Sequence, residues 1–153
     1  MKVRVFVGKS RIAGQGLFTL QNIKKDTRVI PYVGERINKA QSAKRLAQGN
    51  AYIFTFSDQY DIDGKVLSNT ARYINHSCDP NCESDEIRGR VIIRAIRKIA
   101  PGEELSYDYC LYDGDPGDPA LCHCGAKNCR GSMYSEKEIR ERRTLAKKGK
   151  PRA

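Results

Sequence analysis

Long apolar segments and internal repeats are absent from the sequence. No stretch of the 153 residues approaches the about 18 consecutive apolar residues that a membrane-spanning helix needs. Residues 1–7 alternate like a β-strand and are too short and too interrupted for a signal peptide. We therefore expect an intracellular protein without membrane contact. Disulfides are uncommon in such proteins, and clustered cysteines point to a metal or to chemistry.

Composition and periodicity predict one mainly β domain with short helices. Hydrophobic residues make up 39% and charged residues 30% of a chain whose length suits a single core. Strands are predicted over 3–7, 29–34, 52–56 and 91–93. Asn38 is suited to cap a short helix that ends at Gly49. The apolar residues of this helix that share one face are Ala40, Ala43, Leu46 and Ala47.

The net charge of +10 is concentrated near the C-terminus. Residues 136–153 contain eight Lys or Arg residues and three Glu, so about half of the excess lies there. The range 136–146 has helix-forming composition, and Gly149 and Pro151 then break the helix. A basic tail favours acidic partners such as nucleic acid or acidic protein surfaces. A solvated tail that only increases solubility is the alternative, and charge alone does not choose between the two.

Three cysteines, Cys122, Cys124 and Cys129, have C-x-C-x4-C spacing and follow an acidic Gly/Pro loop that we predict to be mobile. Tetrahedral zinc takes four thiolate or imidazole ligands, and one short turn can supply three. The candidates for the fourth ligand are Cys78, Cys82, Cys110, His76 and His123. Ordinary buried thiols are the alternative, but the segment has no apolar run to bury them. Closed four-ligand sites are usually structural, so the spacing predicts a folded zinc site before it predicts chemistry.

Residues 72–82 read Arg-Tyr-Ile-Asn-His-Ser-Cys-Asp-Pro-Asn-Cys. Asn-His-Ser-Cys alone could be a Cys–His nucleophile pair, but adjacent side chains seldom point at each other productively. The segment instead resembles the Arg-Phe-x-Asn-His-x-Cys-x-Pro-Asn signature of SET-domain methyltransferases. Four other segments resemble motifs of that family in the same order: residues 14–18 its glycine loop, 32–35 its Tyr-x-Gly-Glu motif, 102–109 its Gly-Glu-Glu-Leu-x-Phe/Tyr-Asp-Tyr motif, and 122–131 its post-SET segment.

The resemblance covers residues 3–133 and implies a SET-domain fold of small curved sheets with a knot-like core and a C-terminal zinc site. In that core the segment at Asn75 and His76 threads against residues 107–109. The implied organisation is a SET domain (1–112), an acidic Gly/Pro loop (113–119), a post-SET zinc segment (120–134) and a basic C-terminal tail (135–153). No cysteine-rich segment precedes the motifs, so the zinc-bearing front module common in the family is not expected.

The resemblance also implies S-adenosylmethionine (AdoMet) and zinc as cofactors. AdoMet would lie on one face, and the target lysine would enter through a narrow channel from the other. The implied AdoMet contacts are Gly14, Gln15, Gly16, Tyr52, Arg72, Asn75, His76 and Tyr109. The implied zinc ligands are Cys78, Cys122, Cys124 and Cys129, which leaves Cys82 and Cys110 as core thiols.

Methyl transfer to lysine needs a neutral amine, alignment and a dry channel. Free lysine has a pKa of about 10.4, and burial beside a positive sulfonium disfavours its charged form. Tyrosines suit such a channel through their ring faces and hydroxyls. The resemblance implies Tyr109 as the key catalytic residue, with Tyr32, Tyr52 and Tyr107 as further candidates. Core packing is the alternative for any single tyrosine. A hydroxyl at Tyr107 would restrict a methylated amine, which predicts mono- or dimethylation.

The expected function is therefore AdoMet-dependent protein-lysine N-methylation of a histone or another basic, DNA-associated protein. The expected location is the cytoplasm or the nucleus on chromatin, with weak nucleic-acid contact through the tail as a further partner. Two rivals remain. One is a SET fold of little activity that holds nucleic acid through its zinc site and tail, and the other is a zinc-stapled interaction domain that binds no AdoMet. Methylation of a small amine also stays open.

Overall fold

The protein is built from short strands arranged in small sheets. The computed structural model describes residues 2–112 and 114–149. Within these residues the strands are β1 (Val5–Lys9), β2 (Gln15–Thr19), β3 (Arg28–Tyr32), β4 (Glu35–Asn38), β5 (Ile53–Thr55), β6 (Tyr60–Asp63), β7 (Asn75–His76), β8 (Cys82–Ile87), β9 (Arg90–Ala95) and β10 (Ser106–Tyr107). They form the antiparallel pair β1-β2, the antiparallel sheets β3-β9-β8 and β4-β6-β5, and the parallel pair β7-β10. The predicted mainly β fold is confirmed.

The strands predicted from the sequence correspond to β1, β3, β5 and β9, with bounds that differ by a few residues. β9 is the middle strand of its sheet, and the apolar run at 91–93 lies at its centre. Val91 and Ile93 are buried while Ile92 between them is half-buried. Successive side chains of a strand point to opposite faces, and here only one face meets the core.

Helix α1 (Lys39–Ala47) begins at Asn38, as the sequence predicts, through reciprocal hydrogen bonds between the Asn38 and Gln41 side chains and each other's backbone N–H groups. Its apolar face does not pack on the core, because Ala40, Ala43, Leu46 and Ala47 are all exposed. The side chain that α1 buries is Ser42. Ion pairs attach the helix instead: Lys39 to Asp61, and Arg45 to both Glu35 and Asp63.

The second helix, α2 (Glu136–Lys148), begins after Ser135, whose hydroxyl accepts a hydrogen bond from the Glu138 N–H, and it ends at Gly149. It extends two residues beyond the predicted range of 136–146. Pro151 lies outside the described residues. None of the α2 side chains is fully buried, so the helix lies on the surface of the domain. No helix in residues 2–112 or 114–149 is long and apolar enough to cross a membrane.

Two segments distant in sequence pair beside the core. β7 and β10 are parallel, with Asn75 opposite Ser106 and His76 opposite Tyr107. The buried Asn81 amide strengthens this junction, because it donates to the Glu104 carbonyl at 2.8 Å and accepts from the Ser106 N–H at 2.9 Å. The expected contact between the Asn75–His76 segment and the segment at 107–109 is therefore present. It brings the sequence motifs at 72–82 and 102–109 to one place.

A short 3-10 helix, Thr70–Tyr73, leads into β7, and its Ala71 is fully buried. The core beneath the junction includes the fully buried residues Leu17 of β2, Ile93 of β9 and Leu105 just before β10. The residues on either side of Leu105 are thus anchored by apolar packing as well as by Asn81. This fixes the direction in which Tyr107 and Tyr109 leave the core.

Candidate active site and metal site

A cavity of about 670 Å³ lies between the glycine loop, β5, the 3-10 helix and the chain that follows β10. Cavities of about 300–1,000 Å³ are typical of small-molecule sites. Its aromatic lining residues are Tyr32, Tyr52, Phe54, Tyr73, Tyr107, Tyr109 and Tyr112. All four tyrosines predicted as catalytic candidates therefore meet in one cavity.

Six of the eight predicted cofactor contacts line this cavity: Gly14, Gln15, Tyr52, Arg72, Asn75 and Tyr109. Gly16 and His76 do not. A Cβ on Gly16 would lie 2.3 Å from Glu104 Oε1, so the absent side chain makes room for a carboxylate of the protein. Gly14 has φ +46 and open space around its Cβ position, so its backbone conformation is what favours glycine.

The Asn75 amide connects the glycine loop to the Glu104 carboxylate. Its Nδ2 lies 2.9 Å from the Gln15 carbonyl, 3.1 Å from the Ala13 carbonyl and 2.9 Å from Glu104 Oε1. Ser10 Oγ donates to the same carboxylate oxygen at 2.7 Å. Sequence reasoning assigned Asn75 to cofactor contact and missed Ser10 and Glu104. The only available signal was the position of Glu104 within the predicted 102–109 motif.

Two of the tyrosine hydroxyls donate to backbone carbonyls. Tyr109 Oη donates to Ile74 O at 2.6 Å, and Tyr32 Oη donates to Tyr52 O at 2.8 Å. The Tyr107 and Tyr109 rings are 4.9 Å apart, while Phe54 packs against both Tyr32 and Tyr107. No hydrogen bond joins the Tyr107 hydroxyl to another of the described residues, so this hydroxyl differs from the other two.

Burial raises the pKa of Tyr32, Tyr107 and Tyr109 above the ordinary phenol value. The three groups are therefore neutral phenols at neutral pH. A phenol whose proton is donated to a carbonyl still presents oxygen lone pairs, so Tyr32 and Tyr109 can accept hydrogen bonds. Neither can act as a phenolate base under these conditions.

Arg72 lies at the cavity wall between two aromatic rings. Its guanidinium carbon is 5.3 Å from the Tyr52 ring centroid and 4.8 Å from that of Tyr73, and its Nη2 donates to the Tyr73 hydroxyl at 2.8 Å. Its buried Nε has no acceptor among the described residues. A buried donor without a partner is costly, so an acceptor from water or a ligand fits here.

The Sγ atoms of Cys78, Cys122, Cys124 and Cys129 all lie within 4.8 Å of one another. Four sulfurs bound at about 2.3 Å to one zinc ion are about 3.8 Å apart. The Cys78 and Cys122 sulfurs are 3.8 Å apart. Of the fourth-ligand candidates left open by spacing, the structure brings Cys78 to the cluster. The predicted four cysteines can thus hold a metal ion.

The thiols of this cluster differ in pKa. Burial alone raises the pKa of Cys124, but backbone N–H groups and the neighbouring thiols lower it to about 6. Burial raises the pKa of Cys122 to about 12. One thiolate therefore forms readily, and a bound cation would favour ionisation of the others.

The remaining cysteines differ from each other. Cys82 is fully buried in the core, where burial raises its pKa to about 12, as expected of a core thiol. The same prediction for Cys110 is wrong, because Cys110 is exposed and lines the large cavity. Its backbone has φ +48, and the chain turns there, immediately after Tyr109. The turn directs this thiol away from the core.

His76 connects the cavity wall to the cysteine cluster. Its Nδ1 accepts from the Tyr109 N–H at 3.0 Å, which leaves the proton on Nε2, 3.4 Å from Cys78 Sγ. Burial lowers the pKa of His76, so the ring is neutral and its 3.5 Å approach to Asp108 is not an ion pair. Sequence reasoning assigned His76 to an AdoMet contact and missed this side-chain role.

Arg130 and Asp108 form a second connection between the same regions. The guanidinium donates to both carboxylate oxygens, at 2.7 and 2.9 Å. Burial alone would raise the pKa of Asp108. The Arg130 ion pair and the hydrogen bond that Asp108 Oδ1 accepts from the Cys110 N–H instead hold this pKa below its ordinary value. Bidentate pairs are geometrically specific, so the residue that follows Cys129 is fixed relative to the residue that precedes Tyr109.

The chain is similar to proteins named as histone methyltransferases. Histone-lysine N-methyltransferase 2D of Homo sapiens is 37% identical over 86% of this chain and 2% of that protein. Histone-lysine N-methyltransferase trr of Drosophila melanogaster is 40% identical over 84% of this chain and 6% of that protein. The H3 lysine-4 specific enzyme of Schizosaccharomyces pombe is 39% identical over 86% and 15%. The chain therefore spans only a small part of these relatives.

A solved structure is also similar in fold. It is a humanized mutant of the Chaetomium thermophilum Polycomb Repressive Complex 2 bound to an inhibitor, with TM-score 0.65 and 31% identity over 71% of this chain and 15% of that one. The family model described as SET domain matches residues 14–110, which include the glycine loop, the Asn75–His76 segment and Tyr109. The chain belongs to the SET domain family.

Proposed function

We propose that the protein is an AdoMet-dependent protein-lysine N-methyltransferase. The observation that carries the proposal is the single cavity in which Tyr32, Tyr52, Tyr107 and Tyr109 meet the glycine loop, in a chain of the SET domain family. Neutral aromatic walls of this kind suit an amine that must react without its proton. The division into a SET domain, acidic loop, post-SET segment and basic tail is part of the same proposal.

The donor side of the cavity has groups that fit AdoMet. Gly14 has open space beside its backbone, Gln15 lines the cavity next to it, and the buried Nε of Arg72 has no acceptor among the described residues. Bound there, AdoMet would supply a methyl group on a positively charged sulfur for in-line displacement by the amine. The aromatic rings of Tyr52 and Tyr109 suit a cation, because a ring face carries negative charge density.

The lysine amine would be held by hydroxyl oxygens and by ring faces. Tyr109 and Tyr32 donate their protons to backbone carbonyls, so their oxygens are available as acceptors for the amine N–H groups. The pKa of each phenol is raised, so the amine proton would pass to solvent before transfer and not to a tyrosinate. The protein contributes alignment and exclusion of water.

We propose zinc as the metal of the four-cysteine cluster. Four thiolates in a closed arrangement are the ligand set of structural zinc sites. Zinc would cross-link the chain at residues 122–129 to Cys78, two residues after His76. This would hold the post-SET segment beside the cavity.

We propose a histone or another basic chromatin protein as the substrate and the nucleus as the site of action. The names of the relatives support histones, and histone H3 is the first to test because two yeast relatives are named for H3 lysine 4. A nucleic-acid contact through the tail is supported by the exposed cations of α2, which are Lys137, Arg140, Arg143, Lys147 and Lys148.

Replacement of Tyr109 by phenylalanine tests the catalytic assignment. The hydroxyl lost in Tyr109→Phe orients the amine, whereas the ring remains, so methyl transfer should fall below detection while donor affinity stays within a few-fold. Methyl-labelled AdoMet with histones, bacterial DNA-binding proteins and nucleic acids as acceptors measures transfer, and calorimetry measures donor binding. Tyr60→Phe removes an exposed hydroxyl of β6 and serves as the control. Full activity of Tyr109→Phe would contradict the assignment.

Product analysis tests the role of Tyr107. The wild-type protein should form mainly monomethyl-lysine with some dimethyl-lysine, because the Tyr107 hydroxyl occupies space and restrains the methylated amine. Removal of that hydroxyl in Tyr107→Phe should raise the proportion of dimethyl- and trimethyl-lysine. Mass spectrometry of a histone H3 peptide measures the distribution. Trimethyl-lysine as the main wild-type product would refute this role.

Metal analysis of cysteine variants tests the zinc site. The wild-type protein should contain about one zinc ion per chain. Cys124→Ser should lose it, because a serine hydroxyl is a poor substitute for a thiolate, and Cys110→Ser should retain it. Elemental analysis after exhaustive dialysis gives the stoichiometry. Equal zinc content in the two variants would show that the cluster is not the metal site.

Charge reversal on α2 tests the nucleic-acid contact. Arg140→Glu with Arg143→Glu should weaken binding to a short DNA duplex and reduce the salt slope by about two phosphate contacts. Lys24→Glu with Lys25→Glu changes the net charge equally at another exposed site. Fluorescence anisotropy over a salt series measures both pairs. Equal losses would attribute binding to net charge alone, and no loss in either pair would contradict the contact.

A further inference from the structure

Arg142 differs from the other basic residues of α2 because its guanidinium is fully engaged. Its Nε donates to Glu138 at 2.7 Å, while its two terminal nitrogens donate to the carbonyls of Gly114, at 2.8 Å, and Asp115, at 3.1 Å. A longer contact of 3.4 Å reaches the Asp118 carbonyl. The side chain is only 22% exposed. The acidic loop predicted from the sequence to be mobile is thus attached to the helix that follows it.

The Tyr134 ring packs against the Arg142 guanidinium. The Arg142 guanidinium carbon lies 3.9 Å from the Tyr134 ring centroid, and the buried Tyr134 hydroxyl donates to the Asp118 carbonyl at 2.9 Å. A Cβ on Gly114 would lie 2.2 Å from that hydroxyl oxygen. The loop therefore reaches its position only because Gly114 lacks a side chain. Arg142 and Tyr134 therefore both contact the same stretch of backbone.

The loop and the segment that precedes α2 also form part of the 670 Å³ cavity. Leu111, Met133 and Asp118 line it. The Leu111 N–H donates to Met133 O at 3.2 Å, and the Ser135 N–H donates to Leu111 O at 2.9 Å. The segment at Leu111, which follows the cavity tyrosines, is thus paired with the residues that immediately precede α2. Movement of the loop would move one wall of the cavity.

We propose that Arg142 is a positioning residue, which holds the loop at 114–118 on Tyr134 and thereby keeps this wall in place around the methyl donor. The inference rests on the proposed function and extends it, because it makes α2 part of the donor site. A guanidinium is required since its planar fork reaches several carbonyl oxygens at once while its face stacks on a ring. A lysine ammonium in the same place cannot do both.

Five variants test the proposal in the full chain. Arg142→Ala should weaken donor binding at least fivefold, and kcat at saturating donor should stay within twofold because no catalytic tyrosine is touched. Hydrogen exchange at amides 114–120 should become faster. Gly114→Ala should reproduce both effects with the charge of α2 unchanged. Lys25→Ala removes the same charge at an exposed site away from α2, and Gly117→Ala alters the loop where a Cβ has room, so neither should change donor affinity.

Donor affinity is measured by calorimetry, and loop exchange by mass spectrometry. Partial recovery in Arg142→Lys, which keeps charge but loses the fork, would support the proposal. Unchanged donor affinity in Arg142→Ala would overturn it, as would an equal loss in Lys25→Ala. If the wild-type protein binds no AdoMet, the proposed function fails instead. The exchange rates at 114–120 then still decide whether Arg142 holds the loop.

Discussion

The parallel contact between β7 and β10 is the constraint on which the rest of the site depends. Two residues on each side are too few to be stable by backbone pairing alone, so side chains must complete the junction. Asn81 does so from within the core, and the Tyr109 hydroxyl does so from the cavity side through Ile74 O. Each residue that leaves this junction then has a fixed direction: Asn75 toward the glycine loop, and Tyr107 and Tyr109 into the cavity.

The same junction connects the cavity to the cysteine cluster. A neutral His76 accepts the Tyr109 N–H on Nδ1 and directs Nε2 toward Cys78, so the Tyr109 backbone and a candidate metal ligand contact the same imidazole ring. The Asp108–Arg130 pair is a second connection, because Asp108 precedes Tyr109 and Arg130 follows Cys129. A metal bound to the four cysteines would therefore restrain the cavity wall. The metal itself would not touch the reacting atoms. His76 would transmit the restraint, because hydrogen-bonding partners of metal ligands are commonly held in a fixed orientation.

The sequence predicted the parts that depend on local pattern or on motif order. This class includes helix α1 with its Asn38 cap, the central strand of the β3-β9-β8 sheet and the four clustered cysteines. Each of them is recognisable from a few residues of specific type. Pattern could not predict that α1 exposes its apolar face, since this depends on ion pairs to strands elsewhere in the chain. The resemblance left Cys110 as a core thiol, whereas the turn at this residue exposes it. The attachment of the acidic loop depends on Arg142, 24–28 residues away, which a sequence window does not register.

The chemistry proposed for the cavity explains why so many residues of the fold position its walls. Three phenols whose pKa values are raised by burial cannot remove a proton from an ammonium group at neutral pH, so the protein offers no strong base among them. What remains available is alignment, and an alignment error of about 1 Å can cost about a hundredfold in rate. Each wall of the cavity is accordingly held from behind: Asn75 by Glu104, Tyr109 by Ile74 and His76, and the C-terminal wall by Tyr134 and Arg142. A site that depends on alignment needs every wall to be held in place. The contacts that hold these walls extend from the core to α2, through the hydrogen bonds of Arg142 to the loop.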